Sequence, residues 1–109
     1  MAFFNQELGL QAGPDGAILL QTRPEHEVAP GTIHFAVLAT LAEVAAAGAV
    51  GASVVPTTVQ VQLLRRATAG QLEGRGRLLK GGRRLAFAEG EVFQEGQLVA
   101  KATVTFALV

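Results

Sequence analysis

Hydrophobic positions along this chain follow two periods, and the switch between them divides it. From residue 32 to 50 (Thr-Ile-His-Phe-Ala-Val-Leu-Ala-Thr-Leu-Ala-Glu-Val-Ala-Ala-Ala-Gly-Ala-Val) the residues are rich in Ala and Leu, the strongest helix formers. Pro30-Gly31 breaks the chain just before this run, and Thr32 is placed to cap its first turn. Val37, Leu41, Val44 and Gly48 recur at helical spacing, with Leu38 and Ala45 beside them, and predict the core-facing stripe. Thr40, Glu43, Ala46 and Ala47 form another side, with Ala36 and Ala39 above. Glu43 is the one charged residue between Val37 and Val50. Burying a carboxylate unpaired is costly, so Glu43 either carries chemistry or reaches solvent or an arginine. Its small neighbours leave room for a ligand or another backbone to approach.

The segments before this helix are shorter. Residues 2 to 8 read as a short helix or an irregular lead-in, anchored by Phe3, Phe4 and Leu8. Pro14-Asp15-Gly16 is a turn between residues 8–13 and 16–22, which predicts a hairpin. Residues 23 to 31, with two prolines, read as a connecting loop in which His26 is solvated.

After residue 53 the pattern changes to period two. Thr58, Gln60 and Gln62 alternate with Val59, Val61 and Leu63, a half-buried strand over residues 57–64. Residues 65 to 70 turn the chain. A second strand follows over 71–79, with Glu73, Arg75 and Arg77 on one face and Leu72 and Leu78 on the other. Gly81-Gly82 is a hairpin turn candidate, a third strand covers 83–94, Glu95-Gly96 closes another hairpin, and a last strand runs over 97–108.

This order predicts an α+β architecture over residues 1–109 as one domain. One curved antiparallel sheet of five to six strands wraps one long apolar helix, because such a helix cannot stay exposed. The sheet keeps edges that need cover, and a second copy pairing there would give a dimer with a continuous sheet.

Composition adds mainly exclusions. Lys plus Arg equals Asp plus Glu at nine each, so net charge gives no sign of nucleic-acid or membrane binding. With no cysteine there is no disulfide, thiolate metal site or Cys nucleophile. The N-terminal residues lack the pattern of a signal peptide, and the longest uncharged apolar run, residues 44–56, falls short of the ~20 residues of a membrane span. A cytoplasmic location is the expectation.

The run from Gly31 to Glu43 resembles the motif G-x-x-H-G-G-x-x-x-x-x-x-[DE] of hotdog-fold acyl-CoA thioesterases, in the phenylacetyl-CoA and 4-hydroxybenzoyl-CoA branch. Three later segments resemble the family too: Gln60 to Ala67, the hairpin from Gly70 through Ala86 with its Gly81 to Ala86 run, and Gly96 to Phe106 in the last strand. The resemblance implies a hotdog fold and hydrolysis of an acyl-CoA at a site between two subunits of a homo-oligomer, a dimer or dimer of dimers. It implies no metal and no cofactor. The acid nine residues after the His is the catalytic carboxylate, here Glu43, acting as general base or as nucleophile. The amides after His34, those of Phe35 and Ala36, take the place of the family's Gly-Gly pair as oxyanion donors at the helix N-terminus. His34 itself orients the entry into the helix.

Three departures qualify that picture. Val28 stands where the family often has Asn or Gln, Phe35 and Ala36 replace the glycines, and Ala47 stands where some members have Thr. Lys80, Arg83 and Arg84 flank the Gly-Gly turn; the family's basic residues near this hairpin often meet CoA phosphates, although a basic turn is usually just solvated. Arg65 and Arg66 are a weaker version of the same idea. The alternative function is a non-catalytic acyl-CoA binding module or a structural oligomerising protein on the same fold.

Overall fold

The structure, a computed structural model, describes residues 3–109. A short helix α1 (Phe4–Leu8) leads into strands β1 (Gln11–Ala12) and β2 (Ile18–Gln21), joined by a tight turn at Pro14–Gly16. Strands β3 (Glu27–Ala29) and β4 (Thr32–Ile33) precede the long helix α2 (Phe35–Val50). Four long strands follow: β5 (Val54–Leu63), β6 (Gln71–Gly81), β7 (Leu85–Gln94) and β8 (Gln97–Leu108). The main sheet has six strands in the order β1-β2-β6-β7-β8-β5, every neighbouring pair antiparallel. The expected α+β arrangement, one long helix packed on one antiparallel sheet, is present.

Two of the three expected hairpin turns are in place, whereas the third is shifted: Gly81 is still in β6, and the hairpin closes where the Gly82 N–H donates to the Leu85 carbonyl at 2.9 Å, with Arg83-Arg84 rather than Gly81-Gly82 at its tip. At Glu95 and Gly96, φ is 50° and 77°, the paired left-handed conformation that matches a two-residue hairpin to the twist of its strands. Gly51 ends α2 in the left-handed conformation (φ 73°) that glycine adopts without strain.

The face of α2 that meets the sheet differs from the expected stripe. Val37, Leu38, Leu41, Ala42, Ala45 and Ala46 are buried, whereas Val44 is half-buried and Gly48 exposed. The cause lies in the sheet. Gly76 and Gly90 face each other across β6 and β7, and a Cβ on either would sit 1.9 Å from a helix carbonyl oxygen, that of Ala45 or Ala42. The backbones touch, so the helix presents its alanines there, and Ala46 goes into the core rather than beside Glu43. Leu20, Leu72, Val104 and Phe106 fill the remaining interior.

Other local expectations are corrected as well. Residues 23 to 31 are not a plain loop: β3 and β4 pair as a small ribbon, and His26 is buried at 5% exposure. Thr32 does not cap α2, because it belongs to β4. The Ile33 N–H donates to the Ala67 carbonyl at 2.9 Å, so the chain stays extended until His34. Phe3 and Phe4 are exposed rather than anchoring, while Leu8 packs against the core. Ala2, within the expected lead-in, lies outside the described residues.

β5 is a whole free edge. Val59 and Leu63 share the helix-side face with Val104 and Ala100, their partners in β8, yet α2 does not cover them, and they are 44% and 53% exposed. Among the described residues, no helix is long and apolar enough to cross a membrane.

Candidate active site at the N-terminus of the long helix

The entry into α2 is built by two histidines. His26 sits on a single helical turn (Pro24–His26), where its Nδ1 accepts the Arg23 N–H at 3.0 Å. Burial lowers its pKa, with the Arg23 charge acting in the same direction, so the ring is held neutral. Its Nε2 has no partner among the described residues. The His26 carbonyl in turn accepts the His34 N–H at 2.9 Å. The buried ring therefore fixes the backbone from which the helix starts. Sequence reading left His26 in solvent; the only sign was Pro24 two residues earlier, which suits the first position of a tight helical turn.

His34 is the N-cap. Its Nδ1 accepts the Ala36 N–H at 3.0 Å, and its ring stacks on Phe35 with centroids 4.7 Å apart. An accepting Nδ1 carries no proton, so the neutral ring bears its proton on Nε2. The next amide behaves differently. Among the described residues the Phe35 N–H has no acceptor, and it points from the positive end of the helix. Of the two amides expected to act together, one is occupied by the cap and one is free.

Glu43 lies two turns further along α2 and is half-buried. Burial raises its pKa, and no charge or hydrogen bond offsets that rise. It sits at the side of the core face, next to buried Ala42, with Ala36, Ala39, Thr40 and Ala47 as its neighbours at helical spacing.

A groove of about 280 Å³ opens at the same end of α2, lined by Phe35, Leu38, Leu63, Arg65 and Arg66 among others. Phe35 is 58% exposed and forms its aromatic wall. The hairpin residues Lys80, Arg83 and Arg84 lie at the opposite end. The Arg84 carbonyl accepts from Leu108, and the next residue, Val109, bonds Ser53, just past the helix C-terminus. Val28 is exposed on β3. Within one chain His34, Phe35 and Ala36 are contiguous, Glu43 stands apart on the same helix, and the basic hairpin is remote from all four. Among the described residues no cluster of three or more His, Asp or Glu could hold a metal ion.

One long helix against a six-stranded antiparallel sheet, with a lone carboxylate on the helix, defines a hotdog-fold protein of the thioesterase type. The family model described as acyl-CoA thioesterase N-terminal domain matches residues 12–107, and the chain belongs to that family. It is similar to the phenylacetic acid degradation protein PaaI of Thermus thermophilus, solved in a point-mutant form. The identity is 31%, over 97% of this chain and 98% of that one, with a TM-score of 0.86. A phenylacetic acid degradation-related protein from Ralstonia eutropha is 28% identical over 95% of this chain and 88% of that one, with a TM-score of 0.81. A thioesterase from Haemophilus influenzae shares the fold at 18% identity, covering 96% of this chain and 81% of that one, with a TM-score of 0.86. No curated protein matches the chain.

Proposed function

We propose that this protein is a cytoplasmic acyl-CoA thioesterase, a single hotdog domain over residues 1–109 that works as a homodimer or dimer of dimers. Glu43 is the catalytic carboxylate and the Phe35 N–H the oxyanion donor. The observation that carries this reading is Glu43 itself. A half-buried carboxylate without a partner costs stability, and its raised pKa suits a base working near neutrality.

In the general-base form, Glu43 takes a proton from water as the water oxygen bonds to the thioester carbonyl carbon. The carbonyl oxygen becomes an anion and accepts from the Phe35 N–H. The C–S bond then breaks, and the leaving thiolate takes the proton back from Glu43, giving free acid and CoA thiol. In the nucleophilic form the Glu43 oxygen bonds to the carbonyl carbon directly and the C–S bond breaks, releasing CoA thiolate; water then hydrolyses the resulting anhydride, freeing the acid and the Glu43 carboxylate, and the proton released goes to the thiolate.

Helix geometry supports a site shared between two chains. Phe35 and Glu43 are eight residues apart on α2, which is ~12 Å along the axis and ~80° around it. A glutamate side chain plus one carbonyl group does not bridge that distance. The free edge of β5, with Val59 and Leu63 uncovered, gives a second copy its place. Glu43 of the partner subunit then faces the Phe35 amide.

Free-thiol release from phenylacetyl-, benzoyl-, hexanoyl- and palmitoyl-CoA tests the activity, with wild type and Glu43→Ala side by side. Release by wild type alone supports the proposal. Equal release by both would end the role of Glu43. The exposed Phe35 ring, in the position of a family glycine, favours the second reading, an acyl-CoA binding module. Binding without release by either protein would establish that module instead.

A further inference from the structure

We infer that His26 is a positioning residue for the hydrolysis: it holds the backbone of His34, and so the free Phe35 amide, where the thioester carbonyl oxygen is received. The step it serves rests on the thioesterase reading; the placement itself does not.

His26 is buried, yet only one of its ring nitrogens has a partner among the described residues. Nδ1 accepts the Arg23 N–H, so the neutral ring carries its proton on Nε2. The Leu8 carbonyl, at the end of α1, faces the ring without reaching hydrogen-bond geometry. A buried donor left without an acceptor is costly, and a leucine there would avoid the cost. The ring is therefore a poor choice for stability alone. What it supplies is the acceptor at Nδ1.

Two links lead from that acceptor to the site. Nδ1 closes the Pro24–His26 turn on Arg23, whose guanidinium also donates to the Glu7 carbonyl of α1 at 2.8 Å. The closed turn fixes the His26 carbonyl, which accepts the His34 N–H, one residue after the Ile33 N–H is taken by Ala67. With both amides held, His34 keeps the extended backbone (φ −63°, ψ 138°) from which its Nδ1 reaches the Ala36 N–H. The Phe35 N–H lies in the peptide plane that follows His34, so its direction turns with the His34 ψ. Opening the His26 turn releases that plane.

The test compares wild type, His26→Leu and His26→Asn. Asn can set its Oδ1 where Nδ1 stands, since the same number of bonds separates each from Cα. Leucine removes the acceptor and the unpartnered donor together, two losses that offset, so His26→Leu should melt close to wild type. Its kcat should fall by roughly 10²-fold, the scale of a misplacement of ~1 Å, while KM hardly moves. His26→Asn should recover most of kcat. Ring 15N spectra add a readout independent of turnover, and with two histidines in the chain the variants assign them. His34 should hold its proton on Nε2 in wild type and His26→Asn, and average between its nitrogens in His26→Leu. The inference is overturned if His26→Leu keeps kcat, if His26→Asn is no better, or if kcat falls only in step with the melting temperature. A wild-type His26 with its proton on Nδ1 also overturns it, and that reading needs no variant to fold. If wild type hydrolyses none of the four thioesters, the thioesterase reading fails and the His34 ring decides the placement alone. A change in His26→Leu that His26→Asn reverses then keeps the placement, and an unchanged ring ends it.

Discussion

The His34 side chain accepts the Ala36 amide at 3.0 Å and leaves the amide between them, that of Phe35, without a partner. One side chain therefore both caps the helix and selects which backbone N–H is available to a ligand. Phe35→Pro should remove that donor with little damage. Proline suits the first helical position, and His34 already has the extended backbone (ψ 138°) that a following proline requires. We expect kcat to fall by roughly 10²–10³-fold, the scale of losing one oxyanion donor. Phe35→Ala, which keeps the amide, should retain most of kcat. Steady-state kinetics on the two variants checks this, and equal losses would refute the assignment of the amide.

Glu43 gives stability and activity opposite dependences on pH. Burial raises its folded pKa, so the protonated form suits the fold. Its contribution is complete below the ordinary carboxylate range and is lost as pH rises through the raised value. Glu43→Gln stays neutral, so it should melt above wild type at pH 7, and the two should converge in acid. Hydrolysis should do the reverse, failing on acidification with a midpoint above the ordinary carboxylate range. Thermal melts and a pH–rate profile measure the pair.

Glu89 shows the contrary case on the outer sheet face. Burial works against its ionisation, but hydrogen bonds from Arg77 and Lys101, and their charges, outweigh it and hold the pKa below the usual value. Its stabilisation is present above the ordinary carboxylate range and is lost as pH falls through the depressed value. Glu89→Ala should cost about 1–3 kcal/mol at pH 7. That cost should shrink in acid, as read from urea denaturation at several pH values.

Gly76 and Gly90 set how closely the helix approaches. Gly90→Ala would place a carbon against the Ala42 carbonyl, and neither backbone can yield without lifting α2. Overpacking of this kind costs about 1–3 kcal/mol or more. The displaced helix should also carry Glu43 and Phe35 out of register, so activity should fall along with the denaturation midpoint. Gly48→Ala, on the exposed side where a Cβ meets nothing, should do neither.

The four long strands and the long helix were legible because alternation, helical spacing and the Glu-Gly turn agreed; the Gly-Gly pair marked the β6–β7 hairpin but not its tip, which falls at Arg83-Arg84. The helix face was misjudged because larger side chains were assumed to point inward. The deciding feature was a pair of glycines more than 25 residues later in the chain, and nothing in the helix itself reports them. The β3–β4 ribbon escaped notice because strands of two or three residues between prolines carry no period, and the burial of His26 follows from that ribbon. At the site, Glu43 stood out as the one charge in an apolar helix. The division of labour between the Phe35 and Ala36 amides depended on one rotamer of His34, which only coordinates reveal.

The shared site is the centre of this account, and mixing two inactive variants tests it most directly. Glu43→Gln and Phe35→Pro are each expected to be inactive alone. Unfolded and refolded together in equal amounts, half of the dimers should be mixed, each with one intact site of two, so thioester hydrolysis should return to about a quarter of the wild-type rate. A mixture as inactive as its components, with mixed dimers shown to form, would contradict the assignment of the carboxylate and the amide to different chains.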